Sequence, residues 1–99
     1  MYIYVQVIYM LIDKICKLIR EHPEYRVILE RALEVEDNPP NNFVKDYGWE
    51  WSDVRAHPAK LTKLVTEDIL EIKYKSRRYT HYKLKDKELV REALKKCPI

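Results

Sequence analysis

Glycine occurs once in this chain, at position 48. That scarcity excludes the glycine-rich loops that wrap nucleotide phosphates, which need several residues able to take positive φ. Cysteine is nearly as rare, with only Cys16 and Cys97. They form no metal-ligand pattern with His22, His57 or His81. The default reading of thiols so far apart is that both are free in a reducing cytoplasm. The alternative is one disulfide tying the first helix to the last, and spacing alone does not decide. Internal repeats and low-complexity segments are also absent. The longest hydrophobic run goes from Met1 to Ile12 with Gln6 as its one strongly polar residue. It falls short of the ~20 residues needed to cross a bilayer. It is not read as a signal peptide, because no basic region precedes it and no small-residue cleavage site follows. No acid/base pair stands at helical spacing, and no nucleophile has an evident His partner. Asp46, Glu50 and Asp53 near the tryptophans form a conceivable nuclease-type metal cluster. A capping role for Asp53 and a solvent-facing strand position for Glu50 explain them more simply. The sequence is therefore read as non-enzymatic, with no cofactor, no metal, no membrane partner and no small-molecule substrate.

Charge is abundant. Of the 99 residues, 35% are charged and 46% hydrophobic, which fits one globular domain, 1–99, at a charge level like that of heat-adapted proteins. The net charge is only +3. Its division is uneven: residues 1–54 hold six Lys/Arg and ten Asp/Glu, a net of −4, and residues 55–99 hold thirteen and six, a net of +7. A basic half directed at a polyanion and an acidic half directed elsewhere is the reading this asymmetry suggests.

Ile8, Leu11, Ile12, Ile15, Leu18 and Ile19 continue one helical pattern, predicting a first helix over roughly 3–21. So much apolar surface needs cover. Either it packs wholly in its own core or it forms a homodimer interface. A native start at Met10, leaving 1–9 outside the protein, is a third reading. Pro23 separates a second helix, about 24–36, with an apolar stripe of Tyr25, Ile28, Leu29, Ala32, Leu33 and Val35. Residues 37–42, DNPPNN, read as a loop. Phe43 and Val44 start a strand or a short helical turn, and Gly48 supplies a turn. Trp49 and Trp51 are placed on one side of a short strand that pairs with a hairpin, with Trp51 buried beneath the sheet. Ser52-Asp53 reads as an N-cap pair for a very short helix before His57-Pro58. Asp86 caps a last helix, 87–96, with Leu89, Val90, Ala93 and Leu94 inward.

The most informative stretch runs from Pro58 to Lys85. Leu61, Leu64 and Val65 give a narrow apolar stripe on a helix over 58–68, with Pro58 suited to its first position. Leu70, Ile72 and Tyr74 then alternate with Glu71, Lys73 and Lys75. After Ser76-Arg77-Arg78, Thr80, Tyr82 and Leu84 alternate with His81, Lys83 and Lys85, a hairpin over 70–85. Tyr74 and Tyr82 read as core. From Lys73 to Lys85 there are six Lys or Arg and no Asp or Glu.

Trp51-Ser52-Asp53-Val54, LTKLVTEDILEI and KSRRYTHYKLKD together resemble winged helix-turn-helix domains of archaeal DNA-associated proteins, over about residues 24–96. Two departures stand out: Asp68 occupies the place of a usual glycine, and the helix between Trp51 and Pro58 is very short. The resemblance implies an α+β fold, a winged helix-turn-helix with a small antiparallel β-wing and an added helix at each end. It implies a cytoplasmic protein binding duplex DNA, a transcription regulator or a replication or repair accessory. Lys60, Thr62, Lys63 and Thr66 would meet phosphates or base edges in the major groove. Arg77 and Arg78 would enter a minor groove. Lys73, Lys75, Lys83 and Lys85 would follow the backbone, with His81 on the basic side and Tyr79 stacking on a sugar or base. The alternative is a winged-helix protein–protein interaction module with weak or no DNA binding.

Overall fold

The computed structural model describes residues 2–97, with side chains described from residue 8 onward. Among these it is α+β, with six helices and one two-stranded antiparallel sheet. Helix α1 spans Tyr2–Glu21, and Ile12, Ile15, Leu18 and Ile19 on its inner stripe are all buried. It lies along α6 (Lys87–Lys96) and against α2 (Glu24–Asp37). The C-terminal half of α1 thus packs in its own core, while the side chains of residues 1–7, on which a homodimer interface would chiefly depend, lie outside those described. Asp86 caps α6 as expected, accepting from the Leu89 N–H at 3.1 Å.

The α1–α6 packing overturns the free-thiol default. It brings the Cα atoms of Cys16 and Cys97 to 5.1 Å, and the two form a disulfide. A separation of 81 positions hides that proximity, because it depends on how the first and last helices pack.

Helix α3 (Asn42–Tyr47) starts at Asn41, whose side chain accepts from the Val44 N–H at 2.9 Å, so Phe43 and Val44 open a helix and not a strand. It ends at Gly48, with φ +99°, where a Cβ would come within 2.6 Å of the Tyr82 carbonyl oxygen. Only glycine fits that approach. The next residue, Trp49, exchanges two backbone hydrogen bonds with Tyr82, at 3.0 and 2.7 Å. The expected pairing of this segment with the hairpin is thereby present, though as a single bridge.

The tryptophans are not on one side. Helix α4 (Trp51–Val54) begins at Trp51 and breaks the period of two, leaving Trp49 buried at 1% exposure and Trp51 outside at 52%. The cap also moves. Glu50 is the N-cap of α4, and Asp53 acts from within the helix by accepting from the Glu50 N–H at 2.8 Å.

Helix α5 (Pro58–Thr66) starts with Pro58 at its first position and with His57 Nδ1 accepting from the Ala59 N–H at 3.1 Å. Leu61 and Leu64 are fully buried. The chain leaves α5 through Asp68, in the left-handed region at φ +62°, and enters β1 (Leu70–Lys75). Strand β2 (Thr80–Leu84) returns antiparallel.

Leu70 pairs with Leu84 and Ile72 with Tyr82, but beyond a bulge at Lys73 it is Tyr74 that faces His81, and Lys75 faces Thr80. A bulge inserts one unpaired residue, so the later side chains of the bulged strand change face. Tyr74 therefore leaves the core side and stands 42% exposed. His81 keeps its expected face, opposite to that of Tyr82, but is buried to 2% because Tyr74, now on that face, together with Phe43 and Tyr79 covers it. Tyr82 is core, as expected.

Candidate nucleic-acid interface

The hairpin tip is a tight polar turn. The Ser76 N–H donates to the Tyr79 carbonyl at 2.8 Å, and the Tyr79 N–H donates to Ser76 Oγ at 3.1 Å, which pushes Arg77 and Arg78 into solvent. Among the described residues, Lys75, Arg77 and Arg78 have no ion pair. Their charges meet no acid from the start of β1's bulge to the end of β2.

The other candidate cations are occupied. Lys83 pairs with Glu71 at 3.1 Å and Lys85 with Asp68 at 3.4 Å. The Lys73 ammonium donates to the Lys45 carbonyl at 3.3 Å. On α5, Lys60 reaches Glu24 of α2 at 2.9 Å and lies over the Tyr25 ring, 5.2 Å from its centroid. Lys63 pairs with Glu67 at 3.0 Å, and Glu67 also receives Lys14 of α1 at 3.1 Å. These hydrogen bonds lower the Glu24 and Glu67 carboxyl pKa values and raise those of Lys60 and Lys63, so all four stay charged near neutrality. Thr62 and Thr66 donate back to the Pro58 and Thr62 carbonyls at 3.1 and 3.0 Å, and so present hydroxyl oxygens as acceptors only. Exposed ion pairs of this kind are worth only ~0–1 kcal/mol. A phosphate can compete for each of these cations, but Lys75, Arg77 and Arg78 need give up nothing.

The remaining two sequence candidates part company. Tyr79 is exposed beside the turn. His81 lies beneath an aromatic group, with Nδ1 donating to the Gly48 carbonyl at 3.1 Å, and cannot touch a phosphate. Phe43, Tyr74 and Tyr79 surround its ring at centroid distances of 5.0, 5.6 and 6.4 Å, and Tyr47 joins Tyr74 at 5.3 Å.

Phe43 and Tyr47 were missed as site residues. Their spacing of four does place them on one helix face once α3 is known to be a helix, and the Asn41 cap was the available signal for it. A further missed residue is Glu36. One of its carboxylate oxygens accepts from the Trp49 indole at 2.9 Å and from the Leu84 N–H at 2.6 Å, taking the place of a strand partner beyond the Trp49–Tyr82 bridge. It fixes the hairpin to α2 and so sets where the tip points.

Comparison with known proteins finds no matching family model, curated protein or solved structure. Among the described residues there is no group of His, Cys, Asp and Glu able to hold a metal ion, and no helix is long and apolar enough to cross a membrane.

Proposed function

We propose that the chain is a winged helix-turn-helix protein that binds duplex DNA chiefly through its hairpin. The order α2, Trp49 bridge, α4, α5, β1, β2, with α3 inserted between α2 and the bridge, supports the winged-helix part of this reading, with α5 as recognition helix and the hairpin as wing. The observation that carries the DNA part is the tip itself: Lys75, Arg77 and Arg78 project without acidic partners, on a turn held by its own hydrogen bonds. Like charges held this close repel one another, and a polyanion relieves that repulsion. A role in transcription, replication or repair follows from such binding, in the cytoplasm. A cytoplasmic protein with a Cys16–Cys97 bridge fits a heat-adapted cell, where intracellular disulfides are common, and the high charge fraction fits the same setting.

A second reading rests on α5. Its lysines are engaged by Glu24 and Glu67 and its threonines by their own helix, while α4 is only four residues long. A protein-interaction module, with weak or no DNA binding, would present this muted helix face. Gel mobility shift with random-sequence duplex separates the two readings. DNA binding by the wing gives a complex at ~50 mM salt that weakens steeply by ~200 mM. No complex at ~50 mM, or equal affinity at both salts, rejects it. Self-association through the first part of α1 belongs to the same proposal, and sedimentation showing only monomer at high concentration rejects it.

A further inference from the structure

We propose that the aromatic face formed by α3 and the hairpin stacks an unpaired nucleotide, so that the protein prefers a duplex carrying a single-stranded overhang over a blunt one. The proposal rests on the wing reading and deepens it by naming the form of nucleic acid bound.

Phe43, Tyr47, Tyr74 and Tyr79 are each 42–53% exposed although they touch one another or share the buried His81 ring. A protein that had no use for these rings would gain by turning them inward or replacing them with polar residues, since contiguous exposed apolar surface is a liability. The bulge at Lys73 is what turns Tyr74 to this side, so the exposure is built by backbone geometry and is not a frayed end of the core.

The chemistry of the rim selects the occupant. Lys73, the bulged residue beside Tyr74, sends its ammonium to the Lys45 carbonyl on α3, between Phe43 and Tyr47 in sequence, and Arg78 immediately precedes Tyr79. Asp46 is the one carboxylate on that helix. Aromatic faces bordered by cations suit bases stacked on rings with their phosphates held alongside. A cationic ligand is repelled, and an apolar peptide leaves the rim charges unused. The same hairpin offers its tip to the backbone of a duplex, so a strand leaving that duplex passes from the tip toward the rings.

The test measures binding of the intact protein to a blunt duplex, the same duplex with a six-nucleotide overhang of DNA or of RNA, and the overhang strand alone. A 2-aminopurine base in the overhang reports stacking. The expected result is overhang binding about tenfold tighter than blunt, from stacking of one or two bases, with the 2-aminopurine emission quenched. The gain should persist at high salt, because stacking releases no counterions. Tyr74→Ala with Tyr47→Ala should remove the gain and leave blunt-duplex affinity within a factor of two. Should that variant fail to fold, quenching in the parent protein still decides. Equal affinity for blunt and overhang with no quenching overturns the proposal and leaves duplex binding standing, which is also the outcome if the face serves a protein partner. Tight, quenched binding to the lone strand without duplex binding upholds the stacking face and overturns the wing reading. No binding to any of them overturns both.

Discussion

Tyr74 stands opposite His81 across the hairpin, ring centroids 5.6 Å apart, where an unbroken ladder would have set it on the side of Tyr82. The single extra residue at Lys73 makes the difference. Before the bulge Leu70, Tyr82 and Leu84 are buried where the strands meet α2 and α5, while Ile72 is left 46% exposed. After it the hairpin offers tyrosine to α3, and the histidine is sealed under rings instead of facing solvent.

Replacing Arg77 and Arg78 together by Ala should weaken duplex binding and lower the slope of log affinity against log salt by roughly two units, if each meets one phosphate. Thermal stability should be unchanged, because both side chains are exposed and unpaired. Replacing Lys60 and Lys63 should cost less affinity, since each must first leave a carboxylate, but should erase any sequence preference read from α5. Titrations across salt for both double variants check this, and a wing variant that binds like the parent would falsify the hairpin's role.

The two tryptophans should behave oppositely. Trp49→Ala removes a buried ring and its hydrogen bond to Glu36, at a cost of ~3–5 kcal/mol in denaturant unfolding. Trp51→Ala should stay within about 0.5 kcal/mol of the parent, as exposed substitutions generally do.

Several elements were plain from residue order alone. Helix α5 begins at Pro58, α6 is capped by Asp86, and the hairpin occupies the expected residues, because each rests on local periodicity or a local cap. What stayed hidden depended on position in three dimensions. The bulge carries no glycine to announce it, so strict alternation put Tyr74 on the wrong face and left no sign that rings would cover His81. Glu36 looks like any acid near a helix end until the strand edge it serves is in place. The lysines of α5 could be listed from the sequence, but not that Glu24 of α2 holds Lys60, or that Lys14 of α1 shares Glu67 with Lys63.

Reducing the disulfide, or replacing Cys97 by Ser, should lower unfolding free energy by about 4.5 kcal/mol, the loop-closure value for a span of this length. Chemical denaturation with and without reductant measures it. A loss below about 1 kcal/mol would show that the α1–α6 packing alone holds the ends.

Asp37 gives an acid-sensitive link between α2 and α6. Hydrogen bonds from Arg91, then Lys87, hold its pKa at about 2, below the ordinary 3.8. A depressed carboxyl pKa stabilises the fold above the ordinary value, and the contribution disappears as pH falls toward the folded one. Asp37→Asn should therefore melt below the parent at pH 6, with the gap narrowing from about pH 4 and closing near pH 2. Melting curves at four or five pH values test it, and a constant gap rules it out.

The Cys16–Cys97 bond also changes what a broken backbone means here. A protease that cuts once anywhere between those two residues produces no separable fragments under oxidising conditions. The nicked chain keeps both halves joined, with the helices of the cut ends still beside each other. Such damage would go unseen on a non-reducing gel, and the molecule could remain in service after an injury that disperses an unbridged domain.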